Sequence, residues 1–159
     1  MKTHIIFLYF LFFLVSCNKS KEDLSEKLIQ NSERKNYIAL VCDEIEKNSF
    51  DLTKKEVSQT EELLSQAIKE LNKKSKENVN PYEEEFEIDL RKYKRQFCAS
   101  IDKNGDKTVF VLGINEDNIR NNSWETKWCR VAGGGSNYFH GGINLTKNKY
   151  FSFGINAPK

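Results

Sequence analysis

Histidine, unopposed basic charge and long apolar runs are all scarce in this 159-residue chain, and each scarcity removes a class of function. His4 and His140 are its two histidines, and no CxxC or paired Cys/His spacing occurs, so a zinc site has too few soft donors. Lys and Arg number 25 against 23 Asp and Glu, for a formal charge of +2, and the two signs are interspersed. A nucleic-acid partner would call for basic residues gathered on one face, so none is expected. No Lys-Ser or Lys-Thr follows Gly133-Gly134-Gly135, which excludes the phosphate-cradling pattern. Asp102, Asn104 and Asp106 alternate as in a calcium loop, but the downstream glutamate is missing and Lys103 and Lys107 oppose a cation. That stretch is therefore a turn, and neither metal nor cofactor is expected. The one apolar run, residues 5–15 reading IIFLYFLFFLV, is too short at about eleven residues to span roughly 30 Å of hydrocarbon. It reads as a processed export signal.

The residues flanking that run set the expected organisation. Lys2 and His4 form a polar head, and Leu14-Val15-Ser16-Cys17 ends the apolar stretch. LVSC resembles the lipobox of bacterial lipoproteins. The resemblance implies cleavage before Cys17, which then carries lipid on its sulfur and amino group and anchors the protein to membrane lipid by several acyl (palmitate-type) chains. Lys21-Glu22-Asp23, close behind, resembles the signal of surface lipoproteins in Bacteroidota, implying an outer-membrane, cell-surface location; the alternative is the periplasmic face of the same membrane. The expected domains are a signal peptide at 1–16, a lipidated tether at 17–36, polar and slow to repay ordering entropy, and a single domain at 37–159. About 143 residues remain after processing, enough for one domain and too few for two well-buried ones.

Cys42, Cys98 and Cys129 are then left in a compartment where disulfides persist. Cys98 and Cys129 both fall in predicted strands of one sheet, so they are the expected pair. The alternative is three small buried thiols.

Residues 37–47, YIALVCDEIEK, fit either a short helix or an early strand. Thr53-x-x-Glu56 has the form of a capping box. Val57, Thr60, Leu64, Ala67, Ile68 and Leu71 then line one face of a main helix predicted over 53–74. Beyond a break at 75–81 the period changes to that of strands, and the sheet is predicted over 84–157. Phe86, Ile88 and Leu90 open the first run, and Tyr93, Arg95, Phe97, Ala99 and Ile101 continue it on one side. Asn104-Gly105 supplies a hairpin turn. KTVFVLGI at 107–114 reads as a central strand covered on both faces. Residues 115–123 form an exposed loop, 124–132 another strand, 133–137 a turn, and 138–145 and 150–157 the last two strands. Gly141-Gly142 inside a strand points to a bend, a bulge or a close approach of other groups. The expected class is α+β, with one or two N-terminal helices packed on a curled four- to five-stranded antiparallel meander. That order resembles the cystatin-like and NTF2-like folds, and INLTKNKYFSFGIN resembles small outer-membrane lipoproteins of Bacteroidota, a likeness that implies no activity.

For chemistry, Cys129 with His140 is the only nucleophile and base pair worth naming, with Cys98 and Ser136 as further nucleophiles. Aromatic side chains carry more weight: Trp124, Trp128, Tyr138, Phe139, Tyr150, Phe151 and Phe153 crowd a short span. Trp and Tyr give rigid contact area with a polar tip. Trp124, Trp128, Tyr138 and His140, beside loop 115–123, are the candidate binding residues, with some of the aromatic rings expected to lie partly open. The function expected is non-enzymatic: a lipid-anchored envelope binding or accessory protein meeting an envelope or extracellular protein. The alternatives are an inhibitor or immunity lipoprotein, a glycan-capture protein, and a small cysteine-dependent hydrolase.

Overall fold

The computed structural model describes residues 38–42, 48–77 and 85–158. The expected signal peptide, tether, Cys17 and Lys21-Glu22-Asp23 lie outside the described residues. The elements in chain order are β1 (Ile38–Leu40), α1 (Lys54–Glu77), β2 (Tyr93–Ile101), β3 (Lys107–Asn115), β4 (Tyr138–Asn144) and β5 (Lys149–Ile155), with short 3-10 turns between them. They form one α+β unit: α1 packed on a five-stranded sheet of order β1-β2-β3-β4-β5.

The start of α1 is set by its capping box. Thr53 Oγ1 accepts from Glu56 N at 3.3 Å, while Glu56 Oε2 accepts from Thr53 N at 2.9 Å, so each residue satisfies an amide the helix leaves open. The apolar stripe turns Leu63, Leu64, Ala67 and Ile68 inward, and the helix runs three residues past the predicted Lys74 end. At that end Asn72 and Ser75 take over backbone groups of the returning chain: Asn72 Oδ1 accepts from Ile88 N at 2.8 Å, and Ser75 Oγ from Phe86 N at 2.8 Å. Residues 86–89 are thus bound to the helix rather than to the sheet, and β2 begins only at Tyr93.

β2 to β5 form the predicted meander. The sheet is nevertheless mixed, because β1 pairs parallel with β2 in the register Ile38 to Arg95 and Leu40 to Phe97. The early-strand reading of residues 38–40 is the one observed. A parallel neighbour needs a long crossover, and α1 supplies it. Residues 48–50 add a second short attachment along β2, with Phe50 N donating to Ala99 O at 3.1 Å and Ile101 N to Asn48 O at 3.1 Å.

Strand alternation divides the side chains between two layers. Phe97, Val109, Val111, Phe139 and Ile143 face α1 and meet Leu64 and Ile68 in the main core, each such burial stabilising by about 1.5–3 kcal/mol. One ion pair sits in this layer: Arg95 Nε lies 3.0 Å from Glu61 Oε1 on α1 without the alignment of a hydrogen bond, while Arg95 Nη1 donates to Leu90 O at 2.9 Å. Burial pushes the Glu61 carboxyl above its usual range, and Arg95 partly offsets that. The hairpin ends are tied together by Asp106, which accepts from Asn144 Nδ2 at 2.9 Å and pairs with Lys147.

The glycine pair in β4 is a close-approach site with a bulge. A Cβ on Gly141 would lie 2.5 Å from the Phe153 ring, and one on Gly142 would lie 2.2 Å from the Phe151 ring. The register shifts between His140 and Gly142, and Ser152 opposite adopts φ 55°.

Candidate binding face

The opposite layer of the sheet is built by the chain between β3 and β4. Residues 116–137 do not add a strand; the stretch 124–132, predicted as one, contains a 3-10 turn at Asn122–Glu125 and then irregular backbone. The reason is a single side chain. Gln96 on β2 is fully buried and points away from α1. Its Nε2 donates to Trp124 O and to Lys127 O, both at 2.6 Å, and its Oε1 accepts from Cys129 N at 2.8 Å. Backbone groups that a strand would spend on a neighbour are spent on Gln96 instead. Asn156 on the far side acts alike: its Nδ2 donates to Val131 O at 2.9 Å and Gly133 O at 3.0 Å. The excursion is therefore pinned from β2 on one side and from the end of β5 on the other.

Between these pins a second apolar cluster forms from Ala39, Val41, Leu112, Ile114 and Trp124, with Ile119, Trp128, Cys129 and Tyr138 against it. Asparagines shape the approach to it. Asn115 Oδ1 accepts from Asp117 N at 3.0 Å, and Asn121 Oδ1 from Ser123 N at 2.9 Å, each closing a short turn. Gly134, at φ 95°, lies so close to Tyr138 that a Cβ there would stand 2.8 Å from the ring.

A cavity of about 370 Å3 opens between loop 115–123 and the 129–138 stretch. Ile114, Ile119, Trp124, Cys129 and Tyr138 give it an apolar wall, and Asn118, Arg120, Asn121 and Asn137 give it polar groups. Among the described residues no aspartate or glutamate lines it.

The candidate residues are thus only partly gathered. Trp124 and Tyr138 line the cavity, with Tyr138 half-buried and Trp124 only 4% exposed. Lys94 Nζ stands 5.3 Å from the centroid of the Trp124 ring. Trp128 is outside the lining and half-buried, edge-on to Phe110 at 6.1 Å. Next to it Phe110 and Phe151 remain 51% and 47% exposed on the part of the sheet the excursion leaves open. His140 is half-buried, with Nδ1 3.2 Å from Asn156 Oδ1. Gln96, Asn156, Ile119 and Arg120 build the face without having been singled out in the sequence. A glutamine centred in a strand of otherwise buried residues is the signal that could have found the first.

The expected Cys98–Cys129 pair is not formed. Cys98 is bonded to Cys42, their Cα atoms 4.5 Å apart, and Cys129 is a free thiol. The hydrogen bond between Val41 N and Phe97 O, 3.0 Å, brings the residue after β1 alongside β2, whereas Cys129 is held by Gln96 through its backbone. Burial raises the Cys129 thiol above its usual range, which lowers its thiolate content. Among the described residues no hydrogen bond joins Cys129 to His140. None of their His, Cys, Asp and Glu side chains gather in threes that could hold a metal ion, and none of their helices is long and apolar enough to cross a membrane. At the turn after β2, Asp102 Oδ1 accepts from Asn104 N and Asp106 N, and Asp106 Oδ2 accepts from Asn144 Nδ2. No protein-family model, curated protein or solved structure matches the chain.

Proposed function

We propose that this is a non-enzymatic lipoprotein, anchored to the outer membrane through acyl chains on Cys17, which binds a protein partner with the face of its sheet opposite α1. The observation that carries this reading is the cavity beside loop 115–123, apolar on one wall and with no carboxylate among its described lining residues, on an excursion pinned by Gln96 and Asn156. Rigid backbone under a concave apolar surface lowers the ordering cost of association. Phe110, Phe151 and Trp128 extend the apolar surface beyond the cavity. The Cys42–Cys98 bond suits a compartment outside the cytoplasm, in keeping with the export signal and LVSC in the sequence. Glycan capture is less well supported, since Trp124 is too enclosed to offer its ring as a stacking platform.

The test is affinity purification of the tagged lipoprotein from detergent-solubilised outer membranes, beside a Cys17→Ala variant. The wild type is expected in the outer-membrane fraction with a reproducible protein partner, and the variant outside that fraction. Wild-type protein retaining Met1 without acyl groups, or recovered with no reproducible partner, contradicts the proposal.

A further inference from the structure

Arg120 stands at the cavity lining, exposed, and pairs with no carboxylate among the described residues. Elsewhere the chain commonly pairs its cations: Lys107 with Glu56, Lys74 with Glu70, Lys147 with Asp106, Arg91 with Asp89, Arg95 with Glu61. Among the described residues, the other groups lining the cavity add hydrogen-bond donors and no negative charge. Asn121 spends its Oδ1 on Ser123 N, which leaves its amide N–H groups for a ligand, and Asn118 adds a second carboxamide. Directly against these polar groups lie Ile114, Ile119, Trp124 and Tyr138. An anionic group adjoining an apolar one is the complement of that arrangement. A carboxylate is the best match, because a guanidinium fork takes its two oxygens at once.

Size narrows the source. About 370 Å3 is near the small end of the roughly 300–1,000 Å3 found for ligand pockets, room for a residue or two rather than a segment running through. In a polypeptide, only the chain end sets a backbone carboxylate one bond from the carbon that bears a side chain. We propose that the cavity takes the C-terminal residue of the protein partner, with its carboxylate at Arg120 and its apolar side chain against Ile119, Trp124 and Tyr138. This deepens the proposed function and rests on its choice of face.

The experiment uses the full lipoprotein in detergent micelles and a fluorescein-labelled pentapeptide ending in leucine, followed by anisotropy. The free-acid peptide is expected to bind at least tenfold more tightly than its C-terminal amide. Arg120→Gln is expected to remove that difference and Arg120→Lys to keep part of it, while Lys149→Gln, away from the cavity, leaves it intact. Equal binding of acid and amide overturns the assignment, as does an unchanged preference in Arg120→Gln with an unaltered melting curve. N-acetyl-leucine binding as tightly as the pentapeptide also overturns it, moving the site to small carboxylic acids. If acid and amide bind alike while the membrane partner is still captured, chain-end recognition fails and the proposed function stands; if no partner is captured, the proposed function fails.

Discussion

Reducing the Cys42–Cys98 bond should cost this domain a large share of its stability. The cysteines are separated by 56 positions, and the loop they close contains all of α1. Chain entropy for a loop of that length is about 14 cal/mol/K, or about 4 kcal/mol at 25 °C. Natural domains hold only about 5–15 kcal/mol in total, so the loss is of the same order as the margin. The midpoint should fall by about 10–20 °C for a domain of this size. Local geometry points the same way, since β1 is three residues long at the sheet edge and the bond fixes the chain just beyond it. The assay is thermal unfolding by circular dichroism of the oxidised protein, of the reduced protein, and of a Cys42→Ser/Cys98→Ala variant, with Cys129→Ser as the control that keeps the bond. Reduced protein and double variant should agree with each other. A shift below about 3 °C would refute the entropic reasoning, and a non-reducing peptide map joining Cys98 to Cys129 would refute the pairing itself.

Three further outcomes rest on named contacts. Gln96→Leu leaves the carbonyls of Trp124 and Lys127 and the amide of Cys129 without their partner; a loss of about 2–4 kcal/mol and a red-shifted tryptophan emission are expected, checked by urea titration. Gly113→Ala places a Cβ 2.0 Å from the buried Phe139 ring and should cost about 1–3 kcal/mol, whereas Gly154→Ala, with open space around its Cβ, should fall within about 0.5 kcal/mol of wild type in the same titration. The hydrogen bond from Lys107, with those from Thr53, holds the Glu56 carboxyl at about 2 against an ordinary 4.5. A depressed carboxylate stabilises the fold above its unfolded value, so wild type should exceed Glu56→Gln by about 1 kcal/mol at pH 7. That advantage should shrink below pH 4.5 and vanish near pH 2, as denaturation at a series of pH values would reveal.

Local chemistry was legible where the interactions are local. The Thr53 and Glu56 capping box, the stripe through Leu64 and Ile68 and the Asn104-Gly105 hairpin all depend on residues a few positions apart, whereas the second cover predicted for β3 is only partial, with Phe110 left 51% exposed. The failures come from contacts far along the chain. Residues 124–132 have apolar residues at strand-like intervals, yet Gln96, some thirty positions earlier, takes their backbone groups and keeps them irregular. Two strand-like flanks favoured Cys129 as the partner of Cys98, but the parallel pairing of β1 beside β2, created by the α1 crossover, brings Cys42 there first. Loop 115–123, Trp124 and Tyr138 do meet at one cavity, while the enclosure of Trp124 and the approach of Arg120 depend on how the excursion folds back. Composition carries no record of that.

The most direct measurement of which face meets the partner is site-specific photo-crosslinking of the full lipoprotein in intact cells. A photoreactive residue replaces Asn118 at the cavity in one strain and Gln66 on the exposed side of α1 in another. A discrete protein adduct is expected from position 118 and none from position 66. An adduct from position 66, with position 118 silent, contradicts that expectation.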